Sequence, residues 1–203
     1  DVINLPHSVL YPIPDWIPEE GFSVDKALLF AIMRQESYFR PTAKSGAGAM
    51  GLLQLMPDTA SYITKDRTLR NSNKSKLLDA KFNMSVGQKY MTYLLEGNLT
   101  EGNLFKFATA YNGGPGNMSK WQDNTNYLND PLFYIESIPA RETRDFIERI
   151  FANLWIYRSR LGQPSPSLNA VASGAWPPYE PLDIKNSAIT SQRTNPATIS
   201  FKK

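Results

Sequence analysis

The sequence predicts a mainly α-helical domain, on three observations. Apolar residues recur at three- and four-residue intervals in several separate stretches. Glycine and proline stand where those stretches stop. The period-2 alternation of strands is almost absent along the 203 residues.

The first helix is expected to start at Ser23, a good N-cap residue, and Val24, Ala27, Leu28, Ala31 and Ile32 follow it at helical spacing. Phe30 and Met33 make its other side apolar too, so this helix should be largely buried. Arg40-Pro41 should end it, because the residue before proline avoids helical angles. Residues 44–51 form a glycine-rich loop. A phosphate cradle would need a GK[ST] signature and a preceding strand, and neither is present.

Pro57-Asp58 reads as a helix start, with proline at the first position and an acid in the first turn. The polar residues 66–78 read as a surface loop. Asp79 then caps a helix that carries Phe82, Val86, Tyr90 and Leu94 on one face and stops at Gly97. A further helix covers about Leu104 to Tyr111 and ends at Gly113-Gly114-Pro115-Gly116. The last strong one follows Pro139 and runs to Arg160, with Phe146, Ile150 and Leu154 inward, and Gly162 and Pro164 close it.

Three segments result. Residues 1–22 carry four prolines and read as an extended lead-in laid against the body. Residues 23–163 form the helical domain, and residues 164–203 a Pro/Ser-rich tail. Trp176 and Tyr179 favour docking of the tail's first half, and the last dozen residues look free.

Composition narrows the chemistry. Hydrophobic residues make up 41% and charged residues 20%, ordinary for a globular chain that builds one core. There is no cysteine, which excludes disulfides, thiolate metal sites and cysteine nucleophiles, and suits an oxidising compartment such as the periplasm. The single histidine, His7, sits in the lead-in, where a solvated side chain is expected. No cofactor and no metal are therefore expected. The net charge of +3 fits an anionic polymer partner or simply a solvated surface. The basic residues form no stripe, so no nucleic acid is expected. No run approaches the ~20 apolar residues of a membrane span. The opening Asp1-Val2-Ile3-Asn4 carries no secretory signal, so either the chain is cytoplasmic or a processed form is in view.

One carboxylate draws attention. Glu36 follows Leu28 and Ile32 by eight and four residues and so shares their inward face. Burial of an acid without a partner raises its pKa, which is how a glycosidase keeps a carboxyl protonated near neutrality. Pairing with Arg34, Arg40 or Lys44 is the plainer alternative, and spacing alone leaves both open.

Three blocks add to this reading. The first is Ala31-Ile32-Met33-Arg34-Gln35-Glu36-Ser37, followed by the run from Ser45 through Gly51-Leu52-Leu53-Gln54-Leu55-Met56-Pro57. The second is Ala110-Tyr111-Asn112-Gly113-Gly114-Pro115-Gly116. The third is Tyr134-Ile135-Glu136-Ser137-Ile138-Pro139 with Glu142-Thr143-Arg144. In order and spacing these resemble the Slt-type lytic transglycosylases over about residues 24–162. The resemblance implies a goose-lysozyme-like helical fold with a deep glycan cleft. It also implies cleavage of peptidoglycan strands in the bacterial periplasm or cell envelope, and it favours a processed chain, which a further N-terminal domain could precede.

The resemblance makes Glu36 the general acid and then the general base, with a 1,6-anhydromuramic acid product. Ser45 falls near that carboxylate and the substrate's N-acetyl group, while Gln54 and Met56 line the saccharide cleft. Tyr111 and Asn112 border the site, Tyr111 placed to hydrogen-bond Glu36, and Glu136 contacts sugar. Glu142 and Arg144 read as a local structural pair. Two departures are visible: Gly113 replaces a usual alanine, and Phe146 a common tyrosine that could have hydrogen-bonded. Two other functions compete. A muramidase on the same fold would need a second carboxylate, Glu136 or Asp58, and a non-catalytic glycan-binding module of a secretion machine would not need a buried acid.

Overall fold

The computed structural model describes residues 7–183, and side chains from Val9 onward. The expectations for the His7 side chain and for the last dozen residues lie outside this part. Among the described residues the elements are helical, and β-pairing is limited to isolated bridges. A short helix α1 (His7–Leu10) precedes α2 (Lys26–Ser37), α3 (Pro57–Thr64), α4 (Ala80–Glu96), α5 (Leu104–Gly113), α6 (Pro115–Asp123), α7 (Pro131–Ser137), α8 (Arg141–Arg160) and α9 (Pro166–Ala172). The mainly α class expected from the sequence is therefore the class found. No helix among the described residues is long and apolar enough to cross a membrane.

Helix α2 is the centre of the core. Seven consecutive residues, Ala27 to Met33, are buried, so the helix is enclosed on all sides and packs chiefly on α8. Asn153 of α8 donates from Nδ2 to the Ala31 carbonyl at 3.3 Å. The cap differs from expectation. Asp25, not Ser23, caps α2, accepting at Oδ1 from the Ala27 and Leu28 N–H groups at 3.1 and 3.3 Å. The Ser23 and Val24 N–H groups donate instead to Gln88 Oε1 on α4, which ties the lead-in down before the helix begins.

The end of α2 also differs. It stops at Ser37, three residues before Arg40-Pro41, because Tyr38 and Phe39 both take left-handed angles, with φ of 50° and 59°. The turn swings Phe39 back onto Phe30 and Tyr157, and this packing stabilises a conformation that non-glycine residues rarely adopt.

Residues 66–78 are not a simple surface loop. Two 3-10 turns, Arg67–Arg70 and Lys74–Leu78, each bury one leucine completely, Leu69 and Leu77. Two anchors eight residues apart leave no periodic signal. Helix α6 starts in an expected break, α9 lies in the expected tail, α7 falls in a stretch to which the sequence assigns no element, and each begins with proline at its first turn. The prolines that stop one element start the next.

The stretch after Gly162 lies along the body. Leu104 N–H donates to the Pro177 carbonyl at 2.9 Å, and Tyr179 N–H to the Gly102 carbonyl at 2.7 Å. Trp176 donates from Nε1 to Asn129 Oδ1 and packs edge-on against Tyr127 and Tyr134. The Tyr179 hydroxyl accepts from the Asp25 N–H at 3.0 Å. This segment therefore closes over the start of the central helix.

Candidate active site

Glu36 sits in the last turn of α2, where the buried helix meets a cavity of about 480 Å³. Gln35, Asn112, Arg141, Glu142, Asp145, Phe146 and Arg149 complete its walls. The three cations that the alternative reading would pair with Glu36 lie elsewhere. The Arg34 guanidinium lies over the Tyr11 ring at 4.2 Å, Arg40 donates from Nε to the Ser37 carbonyl at 3.1 Å, and Lys44 lines a different cavity. Among the described residues no Lys or Arg nitrogen comes within 4.0 Å of the Glu36 carboxylate. Burial pushes this carboxyl from its ordinary 4.5 up to about 8, and the neighbouring Glu142 carboxylate adds to the shift. Part of the residue reaches the cavity wall, so the proton it keeps is accessible.

Helix α8 supplies the opposite wall. Glu142, Asp145, Phe146 and Arg149 fall at helical spacing and so share one face. Sequence reasoning missed Glu142 by pairing it with Arg144, but Arg144 Nη1 donates to the Ile138 carbonyl. The signal available was the three-, four- and seven-residue spacing from Glu142 to Asp145, Phe146 and Arg149. Arg141 and Asp145 form a loose pair at 3.9 Å on the same rim.

Helix α5 brings Asn112 to the cavity, its Oδ1 accepting from Thr143 Oγ1 at 2.7 Å. Tyr111 is beside Glu36, whose negative charge joins desolvation in raising the phenol well above its ordinary value. Its hydroxyl does not bond Glu36. It donates to the Leu53 carbonyl at 2.8 Å, while its ring lies parallel to Phe146 with centroids 6.2 Å apart. Phe146 has no hydroxyl and acts as an apolar wall. At Gly113 an alanine Cβ would come within 2.7 Å of Trp121 Cζ3, which accounts for the glycine.

The glycine-rich loop is held from below. The buried Asn83 of α4 donates from Nδ2 to the Met50 and Leu77 carbonyls at 3.0 and 2.8 Å, and its Oδ1 accepts from Leu53 N–H at 2.9 Å. Gly51 has φ of +79°, and a Cβ there would stand 2.1 Å from the Leu77 carbonyl oxygen. The loop therefore has one seating, and through Leu53 it fixes the Tyr111 hydroxyl.

Four of the expected site residues lie outside the Glu36 cavity. Ser45 Oγ accepts from Ala49 N–H at 3.0 Å, and Ser45 and Met56 line a second cavity of about 380 Å³. Gln54 is turned onto its own loop, Nε2 donating to the Gly51 and Ala43 carbonyls at 2.8 and 3.3 Å. Glu136 is exposed on α7 and is not among the walls of the Glu36 cavity, because Tyr134 and Ile135 take that helix's inward positions. Asp58 is tied to Arg70 at 3.0 Å in the second cavity.

The Transglycosylase SLT domain family matches residues 17–133. The soluble lytic murein transglycosylase of Escherichia coli (strain K12) is 34% identical over 157 residues, 76% of this chain and 24% of that protein. Membrane-bound lytic murein transglycosylase C of Edwardsiella ictaluri is 36% identical over 107 residues, 49% of this chain and 30% of that protein. Among solved structures, the 70 kDa soluble lytic transglycosylase from Escherichia coli superposes with a TM-score of 0.62 at 34% identity, covering 71% of this chain and 23% of that one. An inactive glutamate-to-glutamine mutant of the lytic transglycosylase Slt from Pseudomonas aeruginosa superposes with a TM-score of 0.62 at 33% identity, covering 70% of this chain and 22% of that one. The chain thus spans about a quarter of the length of the soluble relatives.

Proposed function

Because the chain belongs to the SLT transglycosylase family, we propose that it is a lytic transglycosylase catalytic domain acting on peptidoglycan in the cell envelope. The bond cleaved is the β-1,4 link between N-acetylmuramic acid and N-acetylglucosamine. The observation that carries this reading is Glu36, a desolvated carboxyl with a pKa of about 8 and no cationic partner among the described residues, opening into a cavity.

An acid with that pKa keeps its proton at neutral pH and can deliver it to a leaving glycosidic oxygen. As it does so, the N-acetyl carbonyl of the muramoyl residue attacks the anomeric carbon. The Glu36 carboxylate then takes the proton of the C6 hydroxyl, whose oxygen displaces the N-acetyl oxygen and closes the 1,6-anhydro ring. No water is consumed. Asn112 and Glu142 border the reacting bond, and Glu142 helps hold the Glu36 proton. Tyr111 acts through its bond to Leu53 and its stack on Phe146 rather than by touching the acid. Ser45 and Met56 meet the strand at the second cavity, and Gln54 shapes the loop between.

A hydrolase on this fold would need a second carboxylate to activate water. Glu142 and Asp145, which share the cavity with Glu36, take that place instead of Glu136 or Asp58. The product separates the two readings. Digested peptidoglycan strands, reduced with borohydride and examined by mass spectrometry, should retain non-reducible anhydro ends. Abundant muramitol would make the enzyme a muramidase.

A further inference from the structure

Asn112 reaches the Glu36 cavity with an amide whose two ends differ, an oxygen that accepts and a nitrogen that donates. Which end faces the cavity follows from Thr143, a residue of α8 that is 2% exposed. Thr143 Oγ1 and Asn112 Oδ1 stand 2.7 Å apart. Two oxygens that close need a proton between them, and the amide oxygen has none, so the hydroxyl supplies it. With the amide turned over, its N–H would point at Oγ1 and the hydroxyl proton would lose its acceptor, since Oγ1 makes no other hydrogen bond among the described residues. A buried donor left unpaired is penalised by its whole desolvation, so one orientation is held. The nitrogen end lies open. Asn112 Nδ2 finds no protein acceptor among the described residues, yet it is not sealed from solvent as the orphaned Arg34 Nε, Gln122 Nε2 and Arg160 Nη1 are. It therefore faces the cavity. Both residues ride on helices that pack together, α5 and α8, so the pair is carried on rigid backbone.

The direction of this amide decides what the cavity can accept. With the N–H edge inward, a sugar oxygen beside Asn112 meets a donor. With the carbonyl inward, the same oxygen would meet lone pair against lone pair. We propose that Thr143 is a positioning residue for the reaction: its hydroxyl locks the Asn112 amide with the N–H edge toward the cavity, where it takes an acceptor oxygen of the bound saccharide. Thr143 is not among the cavity walls and acts only through Asn112. The inference rests on the glycan reading above for its substrate class.

The test uses the full chain, with Thr143→Val to remove the hydroxyl at nearly constant shape and Thr143→Ser to keep it. Thr143→Val should lower kcat/KM on peptidoglycan strands about five- to thirtyfold, the scale of one misdirected hydrogen bond. Thr143→Ser should stay within about threefold of the wild type. Where valine does not fold, Thr143→Ala carries the same expectation. In an Asn112→Ala background the change from threonine to valine should be worth less than about twofold, because no amide is left to orient. A merely structural threonine would give the same loss in both backgrounds and no rescue by serine. Either result overturns the proposal, as does an unchanged kcat/KM. A second readout needs no turnover. The Asn112 side-chain NH2 resonances should report one state in the wild type and in Thr143→Ser, and should split or broaden in Thr143→Val. Resonances that stay single and unshifted in Thr143→Val would show that the hydroxyl holds nothing. Absence of strand cleavage by the wild type would instead strike the proposed activity, and the amide resonances would still decide the role of Thr143.

Discussion

Glu36 gains its chemistry from where the chain puts it. A carboxyl at about 8 keeps its proton through neutrality, so activity should fall as pH rises past that value, when the acid is lost. Glu142→Gln removes a negative neighbour that disfavours ionisation, so the alkaline limb of the pH–rate profile should move to lower pH. An unmoved limb would deny Glu142 its influence on the acid. Glu36→Gln should lower turnover by ~10²-fold or more while strands still bind. The same substitution should also stabilise the fold in alkali. Between about 4.5 and 8 the folded state binds a proton that the unfolded chain has lost, so wild-type stability declines across that window. Glutamine has no such proton to lose. The melting-temperature gain of the variant should be small at pH 4 and grow to the equivalent of ~2–3 kcal/mol by pH 9, tempered by the open cavity. A constant difference across that range would show that the carboxyl is not desolvated.

At the scale of elements, the loop and helices that surround the acid depend on a few buried polar contacts. Asn83 satisfies Leu53 N–H and the Met50 and Leu77 carbonyls at once. Asn83→Leu removes the side-chain partner of Leu53 N–H and of the Leu77 carbonyl, each at ~1–3 kcal/mol, while the Met50 carbonyl keeps Leu55 N–H at 3.0 Å; it also loosens Leu53, whose carbonyl positions Tyr111. Stability and turnover should therefore fall together, and chemical denaturation with a parallel rate assay checks it. Gly51→Ala should be worse than an ordinary loop substitution, since it meets both a left-handed φ and the Leu77 carbonyl. The strongly periodic segments were legible in advance: α2, α4, α5 and α8 lie where their apolar spacing put them, shifted by a few residues at the ends. Helices α6, α7 and α9 were not, because each is at most nine residues long and begins with a proline that also reads as a break.

Across the whole molecule, the segment after Gly162 locks the two halves of the central packing. Arg158, on the last turn of α8, pairs with the fully buried Asp25 at 2.9 Å and also holds Gln163 and the Glu180 carbonyl. Asp25 in turn caps α2 and accepts from Leu182 N–H. Arg158→Met should cost ~3–5 kcal/mol, because it leaves a buried carboxylate without its charge partner. Removing everything after Gly162 should lower the melting temperature further, through the partly buried Trp176 and Tyr179, each contributing less than the ~1.5–3 kcal/mol of full burial, and through opening of the Asp25 pair. An unchanged melting temperature for that truncation would show that the segment contributes nothing to the fold.

The sequence by itself determined the helical class, the burial of α2 and the candidacy of Glu36. These follow from local periodicity and from which residue types stand together, and a linear chain carries both. It did not determine which residues face that acid. Glu36 and Glu142 are separated by more than a hundred residues, and only the packing of α2 on α8 brings them to one cavity. Ser45 and Met56 share a motif with Glu36 but turn to a different cavity, because Asn83 and the φ of Gly51 decide how the loop seats. Spacing along a chain fixes which side of a helix a residue takes. The partners across the gap are set by how whole helices pack, where burial and hydrogen-bond satisfaction are decided.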